Sequence, residues 1–349
     1  MATANVPADA VHGARFPTFS ECYEATLRHV FTRPEHFVRT RGTHCREVLG
    51  ASFTIECPWN RFLVSPARRT NIVFSYAETL WYLGGRDDSA YLTYYAPGMV
   101  RFTGGRTRLV GTAYGPRIFG IPASGRPSQW ERVVAALRED PQSRRAVVQI
   151  FSESEKLNAS NTDCSCTLAL QFVLRDGVLD VVTYMRANDA YRGMVSDVFS
   201  FTLLQEIMAA ELGVRIGCYH HHVGSLHIYS HDFANVERFL ESLPNRKQDE
   251  FPTIPAGGDV RGEIGLVIEL EHQLRGDRLR LDNPGVYRLG LSAYWSNVVR
   301  LLECYRRVTR EEQQDEDIVA ELPAVFRQAL SHRWPDSFPQ VVSVEEGPT

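Results

Sequence analysis

Lysine is almost missing from this chain: of its 38 Lys and Arg residues only Lys156 and Lys247 are lysine, a bias that reads as genome composition, not function. An excess of positive charge is missing too. The 42 Asp and Glu residues leave a net charge of −4, which argues against a broad nucleic-acid-binding face, since that needs clustered base. No apolar run approaches the ~20 residues of a membrane helix, and the opening MATANVPADAVHGARF has no hydrophobic signal core. There is no repeat, no low-complexity tract, no GxGxxG after a strand and no GxxxxGK[ST], so dinucleotide and P-loop readings have no support. The seven cysteines are odd in number and form no spaced framework. The expectation is a reduced, soluble, cytoplasmic protein. What is present is an ordinary core-forming composition, 44% apolar over 349 residues, enough for two domains or one large α/β unit.

Residues 1–19 read as a flexible polar tail, residues 20–255 as a catalytic domain, and residues 256–349 as a C-terminal strand and helices packed on it. Helical spacing begins at Ser20. GASFTI (50–55) reads as a strand. TNIVFSYAETLWYL (70–83) is a helix stopped by Gly84 and Gly85, and Trp130 to Leu137 is a short helix. RAVVQIF (145–151) is expected as a buried strand. TLALQFVL (167–174) and VLDVVTYMR (178–186) are strands joined by Arg175, Asp176 and Gly177, and an Asp-Gly pair between β-rich runs marks a hairpin because both positions tolerate positive φ. Residues 197–212 are expected as an amphipathic helix closed by Gly213, and 224–229 as a strand. A connector over 244–263 precedes a strand, IGLVIELE (264–271), and helical stretches over 291–310 and 317–332. The fold class is α/β, with a large mixed sheet and surrounding helices.

Few residues declare chemistry unaided. His220, His221 and His222 resemble a metal tract, but alternation along a strand sends the middle one to the other face, and no metal is expected. Cys164 and Cys166 read most simply as small thiols at a strand start. Arg186 and Asp189 on the hairpin partner change that, because a nearby guanidinium favours a thiolate. With the pairs Arg68, Arg69 and Arg144, Arg145, which offer forked donors for a phosphate, the residues point to an enzyme of anionic small molecules with a cysteine nucleophile.

These segments together resemble the thymidylate synthase superfamily, in order, over about residues 20–240: ETLWYL (78–83), GTAYG (111–115), DPQSRR (140–145), CTLALQF (166–172), YMRANDAYRG (184–193) and HIY (227–229). The resemblance implies a thymidylate synthase-like fold and a set of roles. Cys166 would add to C6 of a pyrimidine nucleoside monophosphate, making C5 nucleophilic toward the co-substrate 5,10-methylenetetrahydrofolate. Glu78, with Tyr114, would organise water and proton transfer. Arg41 (with Arg39 two residues away), Arg186, Arg144 and Arg145 would hold the phosphate, the last two across a homodimer interface. Ala187, Asn188 and Asp189 would line the nucleotide, His227 and Tyr229 the ribose, and Asp189 and Gly193 the folate.

The departures are informative. Thr167 replaces the family's histidine after the nucleophile, Ala187 a serine, and VVSVEEGPT has no likeness to the folate-closing terminus. Asp197 stands where a thymidylate synthase has asparagine. An amide matches uracil, with its N3–H donor and O4 acceptor. Cytosine presents an acceptor at N3 and a donor at N4, which suit a carboxyl that shares one proton. The same change marks the cytidylate and deoxycytidylate hydroxymethylases that the chain resembles, in which water completes a 5-hydroxymethyl group. Asp197 could instead only cap the helix beginning at Val198. The expectation is 5-hydroxymethylation of CMP or dCMP, leaning to CMP because Ala187 leaves room for a 2′-hydroxyl. The alternatives are a methyl- or hydroxymethyltransferase of dUMP or UMP, and an inactive nucleotide-binding relative.

Overall fold

The computed structural model describes residues 9–40, 42–120, 125–158, 160–242 and 250–339. Its strands are β1 (His12–Phe16), β2 (His36–Thr40), β3 (Thr43–Ile55), β4 (Val147–Gln149), β5 (Thr167–Arg175), β6 (Val178–Asp189) and β7 (Arg215–Tyr229). They form one sheet in the order β1-β3-β7-β6-β5-β4, with β2 also paired to β3. The pairs β1–β3 and β6–β7 are parallel and the others antiparallel. The helices are α1 (Phe19–Thr32), α2 (Ile72–Leu83), α3 (Ser89–Tyr95), α4 (Val100–Thr103), α5 (Gly115–Phe119), α6 (Gln129–Glu139), α7 (Gly193–Leu212), α8 (Phe233–Glu241), α9 (Val260–Arg275), α10 (Asn283–Arg288), α11 (Ala293–Thr309), α12 (Glu316–Glu321) and α13 (Ala324–Arg333).

The hairpin turns where expected, with Asp176 at φ 51° and Gly177 at φ 71°. Helix α2 starts where Asn71 accepts from the Phe74 amide at 3.0 Å and stops at Gly84. Several expectations are corrected. Part of the N-terminal tail is a strand: β1 runs beside β3, with Ala10 and Val11 buried. The strand expected at 145–151 shrinks to β4, an edge strand that exposes Val147 and Gln149. Helix α7 begins at Gly193, four residues early, and buries nearly every side as the central helix under the sheet, so it is not amphipathic. The strand expected at 264–271 is helix α9. Val260, Ile264, Val267, Leu270 and Leu274 are buried at helical spacing, and Asp259 caps the Gly262 amide at 2.9 Å, which overrides the β-branched run. The last helical stretch breaks into α12 and α13 at Pro323.

Helix α7 lies on one face of β6 and β7, α1 covers β3, and α2, α9 and α11 build a further layer. The Tyr76 hydroxyl donates to that of Tyr294 at 3.2 Å, tying α2 to α11. The opposite sheet face carries exposed Val147, Leu168, Tyr184 and His222, with no helix over it among the described residues. No described helix is long and apolar enough to cross a membrane.

Candidate active site

The hairpin of β5 and β6 brings Cys166 and Arg186 together, the Arg186 amide donating to the Cys166 carbonyl at 2.9 Å. The Arg186 guanidinium is aimed by two carbonyls, Ser165 at 2.7 Å and Cys164 at 3.2 Å, and stands 3.7 Å from Cys166 Sγ. A fixed cation beside sulfur favours the thiolate. Cys164 offers this cation only its carbonyl, which separates the two thiols. Tyr114, at the start of α5, accepts the amides of Cys166 and Thr167, each at 3.3 Å. Burial, followed by the neighbouring Cys166 and Asp197 charges, pushes its phenol far up, so it stays protonated. The turn before it is held by Asp163, whose carboxylate accepts the amides of Val110 at 2.7 Å, Gly111 at 3.1 Å and Thr112 at 2.8 Å. Gly111 is required there, because a Cβ would fall 2.3 Å from the Asp163 carbonyl.

Two carboxyl groups, on α2 and α7, act on the same tyrosines as this sulfur: Tyr82 feels Glu78, Asp197 and Cys166, and Tyr114 feels Cys166 and Asp197. Burial, then the charge of Asp197, pushes Glu78 up to about 8 against the hydroxyls of Ser196 and Tyr82, and one of its oxygens is buried without a hydrogen-bond partner. Tyr82 stacks on Tyr114 with ring centres 5.4 Å apart. Asp197 is pushed up to about 7 by burial and by Asp189, against a hydrogen bond from Asn188 Nδ2 at 2.7 Å. Since α7 begins at Gly193, Asp197 lies inside the helix and caps nothing. Its partner Asn188 is buried with its carbonyl oxygen unpaired, so the amide can donate to a carboxylate or accept from a carboxyl after turning over. Gly193 is pressed against both, its Cβ position lying 3.2 Å from Asn188 Nδ2 and 3.4 Å from Asp197 Oδ2.

The remaining expected residues divide. Asp189 Oδ1 accepts the amides of Tyr191 and Arg192, at 2.9 and 3.0 Å, closing the turn into α7, and burial is the main cause that raises its pKa. His227 is paired in register with Asp189 on one side and Glu47 on the other, and Tyr229 packs edge-on against it at 4.9 Å. Ala187 is half-buried on β6, opposite Ser225. Arg41 and the tail over 340–349 lie outside the described residues, while Arg39 is exposed on β2. Arg144 and Arg145 are exposed just ahead of β4, whose first residue Val147 pairs with Gln171, a point roughly 17 Å along β5 from Cys166. This chain does not bring that pair to its own thiol. Tyr82, Ser196 and Asp163 escaped the sequence reading. Tyr82 had one signal, its place one helical turn after Glu78. Of the histidine tract, His221 is buried against Phe53 with ring centres 4.7 Å apart, while His222 is exposed on the other face against Tyr184. Among the described residues no three His, Cys, Asp or Glu side chains converge as metal ligands.

A family model described as thymidylate synthase matches residues 21–260. The chain is 30% identical over 226 residues to a deoxyuridylate hydroxymethyltransferase of Bacillus phage SP01, an alignment covering 61% of this chain and 59% of that protein.

Proposed function

The chain belongs to the thymidylate synthase family, and from that premise we propose that it is a folate-dependent cytidylate 5-hydroxymethyltransferase. Asp197 carries the base assignment. A carboxyl held to about 7 beside an amide that can reverse its polarity can share one proton with cytosine N3 while accepting from N4. That proton also offsets the negative charge that develops when the ring is attacked. Cys166, activated by Arg186, adds to C6 of the pyrimidine. Tyr114 fixes the backbone on either side of the sulfur and keeps its own proton.

The residues present fit a folate beside the nucleotide: Gly193 lets the start of α7 close onto Asn188 and Asp197, and Asp189 Oδ2 is not used by the turn that Oδ1 closes. Bound 5,10-methylenetetrahydrofolate supplies the one-carbon unit that C5 accepts. Glu78 completes the reaction from the chain's side. Its unpaired oxygen suits a held water, and a carboxyl near 8 can pass a proton in either direction at neutral pH. Water at that position gives the hydroxymethyl product. Ala187, with no hydroxyl beside the sugar, favours CMP over dCMP.

The active enzyme in this reading is a homodimer. Arg144 and Arg145 would serve the partner's phosphate site, and the helix-free sheet face with Tyr184 and Val147 is the surface that would meet its copy. Mixing inactive Cys166→Ser and Arg145→Ala subunits is expected to restore one working site per hybrid. Hybrids that stay dead while each parent folds would remove the cross-subunit assignment.

A second reading, hydroxymethylation of dUMP or UMP, is favoured by the likeness to the phage deoxyuridylate hydroxymethyltransferase. One experiment separates the readings: CMP, dCMP, UMP and dUMP are offered with methylenetetrahydrofolate and the products weighed. A hydroxymethyl adduct on cytidylates is expected. Turnover of uridylates alone supports the second reading, and tight nucleotide binding with no turnover identifies an inactive relative.

A further inference from the structure

Between the two cysteines, Ser165 is wholly buried, and its two polar ends meet two different guanidinium groups. Its carbonyl accepts from Arg186 Nε at 2.7 Å. Its hydroxyl accepts from Arg117 Nη1 at 2.8 Å and shares its single proton between the Gly111 carbonyl and Glu155 Oε1, both at 2.6 Å. Arg117, on α5, is itself gripped. It lies 2.8 Å from Glu155, donates to the Ile150 carbonyl, and reaches the Val110 carbonyl at 2.9 Å. Burial pushes the Glu155 carboxyl up, but hydrogen bonds from Ser165 and Arg117 outweigh it and hold the group below its ordinary value, charged. One residue therefore separates a guanidinium that has a carboxylate from one that, among the described residues, has none: the partners of Arg186 there are two carbonyls and a sulfur. A carboxylate released from the Ser165 hydroxyl would lie on the same residue whose carbonyl aims Arg186, and a cation paired with a carboxylate stabilises a neighbouring thiolate much less.

We propose that Arg117 is a positioning residue for the nucleophile: by holding Glu155 against Ser165 it keeps that carboxylate off Arg186, whose charge is left to Cys166 Sγ and the nucleotide phosphate. This deepens the proposed function and rests on its assignment of Cys166 as nucleophile. The groups that act on the sulfur are Arg186 from β6, Tyr82 from α2 and Tyr114 at α5; Arg117 from α5 and Glu155 from the loop between β4 and β5 meet at Ser165 beside it, and Glu78 and Asp197 act on Tyr82.

The test is the pH dependence of Cys166 alkylation by iodoacetamide, followed by peptide mass spectrometry in a Cys164→Ser background without nucleotide or folate. Arg117→Ala is expected to raise the apparent thiol pKa by about one unit, so that alkylation below it slows about tenfold. Adding Glu155→Gln is expected to restore the profile, and Glu155→Gln alone to leave it unchanged or lower. An unchanged profile in Arg117→Ala, or a shift that persists in the folded double variant, overturns the proposal. If Arg117→Ala does not fold, the near-isosteric Glu155→Gln decides alone, a rise in thiol pKa being the contrary result. With no substrate present the profile is independent of which nucleotide is used, so a failure of the cytidylate assignment shows separately, in turnover.

Discussion

Arg306 in α11 and Asp197 in α7 are both ionisable groups taken out of water, and their surroundings treat them oppositely. Arg306 is 1% exposed, and carboxylates close on it from three directions: Glu303 at 2.9 Å, Glu312 at 2.7 Å and Asp277 at 3.1 Å. Arg307 shares Glu303, and Arg275 meets Glu271 at 2.7 Å. Around Cys166 the arrangement reverses. No cation is among the groups that shift Glu78 or Asp197; after burial, the charge of Asp197 raises Glu78 further and the charge of Asp189 raises Asp197. Buried charges that the fold satisfies lock helices together. Those it leaves short of partners are held near neutrality, where a proton can be given or taken, and await a ligand to complete them.

The largest effect that can break this contrast is at the nucleophile. Cys166→Ser is expected to abolish both turnover and exchange of the nucleotide C5 proton, because both need addition at C6, while Cys164→Ser stays active. Isotope exchange read by mass spectrometry checks both, and the opposite pattern would transfer the role to Cys164.

Next in size is the C-terminal network. Arg306→Met takes from Glu303, which is 0% exposed, one of its two arginines and leaves Arg307; removing one member of a buried pair costs about 3–5 kcal/mol, so a loss at or below that range is expected. Denaturant unfolding should show that loss, with Glu303→Leu added to the same chain recovering part of it. The KM of the folded fraction for nucleotide is expected to stay unchanged; a comparable change in KM would mean the two regions are coupled.

Asp197→Asn comes third. Cytidylate turnover is expected to fall tenfold or more, about 1.4 kcal/mol, with uridylates gaining relative to cytidylates; an unchanged base preference would falsify the recognition role.

The smallest effect is on stability against pH. A carboxyl whose pKa is raised by folding binds a proton in the native state that the unfolded chain has already released. Its contribution is therefore favourable below the ordinary carboxylate range and is lost as pH rises through about 7 for Asp197 and about 8 for Glu78. Melting temperature should decline from pH 5 to 8.5, and Asp197→Asn should flatten the decline. A variant as steep as the parent would mean that Asp197 is ionised in the free protein.

What the sequence made legible was local. The Asp176-Gly177 turn, the Asn71 and Gly84 limits of α2, and the nearness of Cys166 to Arg186 follow from short-range patterns, the last because a hairpin returns the chain on itself. Segment 264–271 misled because Ile264, Val267 and Ile268 favour strands, although its burial spacing and the Asp259 cap were there to be read. β1 was hidden because HGARF is polar and a parallel edge strand leaves no hairpin signal. The early start of α7 was hidden because Asp197 is itself a good capping residue. Arg117, Glu155 and Ser165 had no signal at all, since only the tertiary fold sets them side by side, and in a chain so rich in arginine no single one stands out.

The grip of Asp163 on Val110, Gly111 and Thr112 has a consequence for the order of folding. It closes a loop of about 50 residues without a covalent bond, and closing a loop of that length is entropically expensive until the elements at both ends exist. The turn that carries Tyr114 and the strand start that carries Cys166 are thus fastened to each other only after the α5 and β5 regions have met. The reactive sulfur acquires its surroundings late, when most of the chain is already in place. In a refolding experiment the amides of residues 110–112 should gain protection from hydrogen exchange after those of the β5–β6 hairpin, and Asp163→Asn should delay recovery of activity more than recovery of helix content.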